Sequence, residues 1–149
     1  MCMSNLRQGP PSTPLHSVSV AGVVVREDGR VLTIRRADNG TWEPPGGVLE
    51  LAEAPEDGVR REVEETGVKV EVDRLTGVYK NTARGIVALV FRCRVEGGHE
   101  QLTDEASAVE WLTPDEVTGR MAEVYAVRVT DALLDGTPQV RAHDGRRLA

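Results

Sequence analysis

The chain is poor in aromatic side chains, at 3% of its residues, and it holds only two cysteines. So few rings leave no stacking platform for single-stranded nucleic acid, which is bound by tracking bases along aromatic surfaces. Cys2 and Cys93 stand far apart, in no metal-binding or redox spacing, and predict reduced thiols in a cytoplasmic setting. No window approaches the roughly 18 consecutive apolar residues that a membrane helix needs. A basic excess is lacking as well: the formal net charge is −6. That sign argues against a non-specific nucleic-acid or anionic-membrane binder, and it suits a protein that recruits divalent cations. The first residues, MCMSNLRQGPPSTP, hold no apolar core of a secretory signal and read as a loose tail over residues 1–14.

What remains is ordinary for one globular domain. A length of 149 residues and a hydrophobic content of 40% suffice for a single core. Ser17–Arg26 and Val31–Arg36 are β-branched runs joined by a Glu27-Asp28-Gly29 turn signal. Glu43-Pro44-Pro45-Gly46-Gly47 excludes regular structure, and a helix is predicted over Pro55 to Thr66, with proline in its first turn and Gly67 as its stop. Val68–Val72 and Gly77–Lys80 read as two strands, and the apolar run from Ile86 to Val95 as a strand central in its sheet. Thr113 to Glu116 is a capping box that opens a second helix, carried to Gly136 by Met121, Tyr125, Val129 and Leu133 at helical spacing. The expected architecture is α/β, a mixed sheet flanked by helices. One domain is expected over residues 15–138, with residues 139–149 as a C-terminal tail.

The chemistry concentrates in Gly46–Val68, GGVLELAEAPEDGVRREVEETGV, which carries seven acidic side chains. Glu62, Glu64 and Glu65 crowd the end of the predicted helix, where the dipole disfavours negative charge. Clustered carboxylates are what Mg²⁺ takes, since it prefers oxygen ligands and keeps waters that leave room for phosphates. A solvated acidic face balanced by Arg60 and Arg61 is the plainer reading of the same residues.

Read in order, Gly47, five residues, Glu53, seven residues, then Arg61-Glu62-Val63 and Glu64-Glu65-Thr66-Gly67-Val68 closely resemble the Nudix box. That box is Gly-x5-Glu-x7-Arg-Glu-U-x-Glu-Glu-x-Gly-U, with U aliphatic. The lead-in Trp42-Glu43-Pro44-Pro45-Gly46-Gly47 and the later Val109-Glu110-Trp111-Leu112-Thr113-Pro114 look like the family's too. The resemblance implies a Nudix α/β/α sandwich and Mg²⁺-dependent hydrolysis, with Mn²⁺ as substitute, of a nucleoside diphosphate linked to another group X. It carries Glu62, Glu64 and Glu65 over as metal ligands and Glu53, Glu65 and Glu105 as catalytic candidates. Gly46, Gly47 and Arg61 become substrate-facing residues, Arg61 also fixing a neighbouring carboxylate. Glu100 and Trp42 are lesser candidates, for a further carboxylate and a base-stacking ring, and no histidine is assigned a role. The expected partner is a small nucleotide, without membrane or non-specific nucleic-acid binding; a homodimer is compatible with the sequence.

One departure stands out. The box is one residue short, with nothing between Val63 and Glu64, so a regular helix turns Glu64 roughly 160–200° from Glu62. A tightened 3₁₀ turn would recover part of the family geometry. A second reading follows from this: a Nudix-fold nucleotide-binding or sensing module with weak or no turnover.

Overall fold

The computed structural model describes residues 12–149, so Cys2 and most of the loose tail read over residues 1–14 lie outside the described residues. The two β-branched runs form β1 (Ser17–Val25) and β2 (Val31–Arg36). The Pro-Gly segment, expected to be irregular, contributes two very short strands, β3 (Trp42–Glu43) and β4 (Gly46–Val48). β4 pairs antiparallel with β1, Gly47 opposite Val20, which ties the glycine loop to the sheet. Then come α1 (Pro55–Glu64), β5 (Val68–Asn81), β6 (Ile86–Gly98) and β7 (Ala106–Leu112). The chain closes with α2 (Pro114–Arg120), α3 (Glu123–Ala132) and β8 (Gln139–His143).

The sheet is mixed, in the order β3-β2-β1-β6-β5-β8, with β4 on β1 and β7 on β2. β6 is central, parallel to β1 and antiparallel to β5, as its apolar run requires. Alternation along β1 sends successive side chains to opposite faces. Val20 and Val24 join Val59 and Val63 of α1 in one core, while Ala21 and Val23 join Val129 and Ala132 of α3 in the other. Gly22 sits directly under α1: a Cβ there would stand 2.8 Å from Val63 Cγ2 and 3.2 Å from Val59 Cγ1. The missing side chain is what lets the helix lie close on the strand. Among the described residues no helix is long and apolar enough to cross a membrane.

Three elements differ from expectation. The two strands read between Val68 and Lys80 are one, because register shifts at Val72/Arg74 and Leu75/Gly77 let β5 carry extra residues without ending. Thr76, inside one such shift, is fully buried and donates to Val90 O at 3.2 Å. The single helix read after Thr113 is two: the capping box forms as expected, but Met121 takes extended angles (φ −88°, ψ 146°). The break lets Val117, Met121 and Val124 all reach buried positions. Residues 139–143, read as part of a tail, form β8, parallel to β5 from Gly77↔Gln139 to Asn81↔His143.

β8 is held by a buried charge. Asp131 on α3 accepts from Tyr79 Oη at 2.8 Å and from Arg141 Nε and Nη2 at 2.7 and 2.9 Å. Asp131's side chain is 3% exposed and Arg141's 35%. Arg141→Met would strand the carboxylate with only the tyrosine. A cost of about 2–3 kcal/mol is expected, the low end for a broken buried pair because the arginine is partly wet. Urea denaturation of the two chains checks this, and an unchanged midpoint would show that β8 does not depend on the pair.

Candidate active site

The site is built where β4 meets the C-terminal half of α1. Pro55 at the first turn starts the helix, although Ala54 supplies no side-chain cap. At its far end Thr66 N–H bonds to Val63 O and Gly67 N–H to Glu64 O, both 2.9 Å, a 3₁₀-type closure. Gly67 then takes φ +90°, a conformation that glycine adopts without strain.

Arg61 ties the preceding loop to this helix. Its Nε and Nη2 donate to the Glu53 carboxylate at 2.8 and 2.9 Å, and Nη2 also reaches Val48 O at 3.2 Å. Nη1 lies 3.4 Å from Glu62 and 3.8 Å from Glu65. The guanidinium hydrogen bond holds Glu53 below the usual carboxylate range. Glu53, expected as a catalytic group, is therefore bound up in an ion pair. Arg61, expected to face substrate, grips carboxylates instead, the other half of its anticipated role.

Glu62 turns inward over the glycine loop. A Cβ on Gly47 would collide with its carboxylate, and one on Gly46 would press on Val20 O and Ala21. Both glycines are thus demanded by contact, since neither has positive φ. Burial, then the neighbouring charges of Glu65 and Glu105, push Glu62 up to about 7, against the opposing pull of Arg61. Glu62, Glu65, Thr66 and Glu105 line one small cavity beside Gly46. Glu62 and Glu105 also line a cleft of about 490 Å³ with Gly47, Arg36, Glu43 and Asp104.

Glu62, Glu65 and Glu105 are therefore brought together, and Glu64 is not. Glu64 is exposed and lines neither cavity. As one metal ligand of the expected three it is displaced, as the helical rotation between Glu62 and Glu64 requires. The position four residues after Glu62 belongs to Thr66, which is buried and donates to Val63 O at 2.6 Å. Among the described residues no three acidic, imidazole or thiolate side chains converge closely enough to cage a metal by themselves. Glu100 instead accepts from Trp111 Nε1 at 3.1 Å, and Trp42 packs on the core with the Arg120 guanidinium 5.4 Å from its ring.

Some site residues escape sequence reading. Arg36, at the end of β2, lies 3.5 Å from the buried Glu43, whose carboxyl is raised by desolvation. Both line a further cavity of about 220 Å³ with Arg84, Tyr125 and Arg128. Only the tertiary fold brings β2, the β5–β6 turn and α3 to one loop. The pattern Glu43-Pro44-Pro45 was the single local hint.

A family model for the NUDIX domain matches residues 15–132. The chain belongs to the Nudix hydrolase family. It is 72% identical over 142 residues to a MutT-like protein of Streptomyces ambofaciens, covering 95% of this chain and 92% of that one. It is 33% identical over 106 residues to an ADP-ribose pyrophosphatase of Methanocaldococcus jannaschii, 66% of this chain and 63% of the relative. A crystal structure of a NUDIX hydrolase from Nitrosomonas europaea superposes with a TM-score of 0.75 at 22% identity, over 88% of this chain and 81% of that one. That likeness is one of fold, and it matches the mixed sheet and flanking helices described above.

The collision between Gly47 and Glu62 makes a direct test. Gly47→Ala is expected to cost about 1–3 kcal/mol by overpacking. In a Glu62→Ala background the same change should cost less than about 0.5 kcal/mol, because the colliding group is gone. Equal costs in both backgrounds, by chemical denaturation, would show that Glu62 does not rest on the glycine loop.

Proposed function

We propose that this Nudix hydrolase is a Mg²⁺-dependent pyrophosphohydrolase acting on a nucleoside diphosphate linked to another group. The observation that carries the reading is the meeting of Glu62, Glu65 and Glu105 at the Gly46–Gly47 loop, with Arg36 and Arg84 lining the cavity beside it. The donor set suits the cation. Glu62 is raised first by burial and then by the charges of Glu65 and Glu105, and Mg²⁺ is held by one or two carboxylates plus waters and phosphate oxygens rather than by a closed protein cage. Glu62 and Glu65 would hold it. Bound there, it would neutralise phosphate charge and acidify a coordinated water.

The chain's own residues supply the rest. The Glu53–Arg61 pair fixes the helix against the loop and so keeps Glu62 in place. Gly46 and Gly47, lacking side chains, admit a phosphate close to the backbone. Arg84 offers charge to the phosphates on the other side of the loop, and Arg36, paired with Asp38 at 2.6 Å, lines the cavities on both sides. Glu105 is the best proton acceptor, since its carboxylate faces the cleft and makes no hydrogen bond among the described residues. Glu53, doubly bound by Arg61, is a positioning residue.

One observation favours the second reading, a nucleotide-binding module with little turnover. Thr66 stands where the shortened box would otherwise bring a further carboxylate to the cavity. A pyrophosphate-cleavage assay over a panel of nucleoside diphosphate derivatives separates the two. Activity is expected only with Mg²⁺ or Mn²⁺, and Glu62→Gln should lower kcat by at least about 100-fold without lowering the melting temperature in metal-free buffer. Mg²⁺ at several millimolar should also raise the melting temperature of the parent chain. Thermal stabilisation by nucleotide with no cleavage under any metal would establish the binding module. Full activity in Glu62→Gln would remove Glu62 from the metal site.

A further inference from the structure

Beneath α3 lies a recess of about 110 Å³, walled by Tyr79, Tyr125, Ile86 and Ala88, with Arg128, His143 and Asn81 supplying its polar atoms. The bonds those polar groups already make leave donors in its wall without partners. The Gly145 N–H donates to His143 Nδ1 at 2.9 Å, so Nδ1 is the unprotonated nitrogen and the ring proton sits on Nε2. Nε2 lies 3.5 Å from Arg128 Nη2. Donor there faces donor, and no hydrogen bond joins them. Burial and the Arg128 charge both lower the His143 pKa, which keeps the ring in this neutral form. Asn81 Oδ1 already accepts from Ala83 N at 3.0 Å and Arg84 N at 3.1 Å, so its amide NH₂ is the group left over.

Arg128 has no acid in hydrogen-bond or ion-pair contact among the described residues, Glu43 acting on it only through space. Among the described residues its Nε is buried with no partner. Asp131, three residues on, is committed to Tyr79 and Arg141, and Glu43 is paired with Arg36. The guanidinium instead lies over the rings of Tyr79 and Tyr125, at 5.3 and 5.0 Å. His143 is 3% exposed, so its Nε2–H is held almost out of water as well. Buried donors left open cost stability, and a ligand that brings acceptors repays them. The flat apolar and aromatic walls suit a heterocycle better than a hydrated phosphate. The recess shares Ser19, Ile86, Ala88, Tyr125 and Arg128 with the cavity that reaches Gly46, Gly47, Arg36 and Arg84. A nucleotide with its phosphates at the glycine loop would extend into it.

Resting on the nucleotide reading above, we propose that Arg128 and His143 form a base selector for the adjacent acceptors of a 6-oxopurine, O6 and N7, over the amino-bearing edge of adenine. An arginine fork matches O6 and N7 together, whereas adenine replaces O6 with a donor that would meet Arg128 and His143 donor to donor.

The test is calorimetric binding of GMP, IMP, AMP and inorganic phosphate to the full chain without metal. GMP and IMP are expected to bind on the order of tenfold more tightly than AMP, and phosphate more weakly than any of them. Arg128→Met should erase that preference while leaving the melting temperature equal or higher, since it removes an unpaired buried donor. Arg128→Lys keeps the charge but not the fork, and should lose the preference as well. Equal affinity for GMP and AMP, a preference that survives both substitutions, no nucleotide binding, or phosphate binding as tightly as GMP would each overturn the proposal. Because the readout is binding without metal, a selective protein that never cleaves would sink the hydrolase reading and leave this one standing. A cleaving protein without base preference would do the reverse.

Discussion

Arg61 sits among Glu50, Glu53, Glu62 and Glu65, and among the described residues its guanidinium is the only positive group bridging the glycine loop and the end of α1. Remove that charge in thought, and Glu53 has no reason to stay against the helix while Glu62 feels only like-charged neighbours. With it, the loop is clamped at Glu53 and Val48 O, and Glu62 is pressed over Gly47, where no Cβ stands in the way. The adverse charge at the end of the helix is thereby organised rather than cancelled. Arg61 satisfies Glu53 by two good hydrogen bonds but reaches Glu62 only at 3.4 Å, so the carboxylate facing the cleft is the one left short of a partner. An incompletely satisfied, half-buried carboxylate is a poor stabiliser and a good ligand.

Much of this was legible in the residues because it is local. Pro55 and Gly67 bound α1, Val59 and Val63 mark its buried stripe, and the capping box at Thr113 forms as written. The meeting of Glu62 with Glu65 follows from i, i+3 spacing, and the exposure of Glu64 from the same helical repeat. What escaped was tertiary. β5 runs unbroken through Asp73 and Thr76 because bulges against β6 absorb them, and a bulge has no signature in one strand read alone. β8 owes its place to Arg141 reaching Asp131 across α3, a contact ten residues away in sequence that periodicity cannot announce. No ligand spacing surrounds His143 in the sequence. The group it faces is Arg128, fifteen residues earlier and on another element.

The two faces of the sheet carry different parts of the chemistry. α1 packs on one face and brings carboxylates to the glycine loop; α3 packs on the other and brings Arg128 and Tyr125. β4 stands between them, tied to β1 at Ser19, Val20 and Ala21. The same three β1 residues line the cavity on the α3 side, so the strand that fixes the glycine loop also forms the floor beneath the arginines. An overall charge of −6 therefore hides a local division: the carboxylates of α1 lie on one side of Gly46–Gly47, Arg84 and Arg128 on the other, and Arg36 lines both cavities.

That division bears on what the loop can hold. A pyrophosphate is anionic along its whole length, and a wholly acidic cleft would repel it until cations arrived. Arg36 and Arg84 offer the opposite sign within the cavity that reaches Gly46 and Gly47, while Glu62 and Glu65 line the one beside Gly46. In the proposed reading, substrate and metal then have separate attractions to one loop and need not compete for the same residues. The cost falls on the protein: Glu62 raised by burial and by its neighbours on one side, Arg128 lowered by burial on the other. Each is a charge held in the wrong place for stability, and the two lie on opposite sides of the one segment, Gly46–Gly47, where side chains would have closed the gap between them.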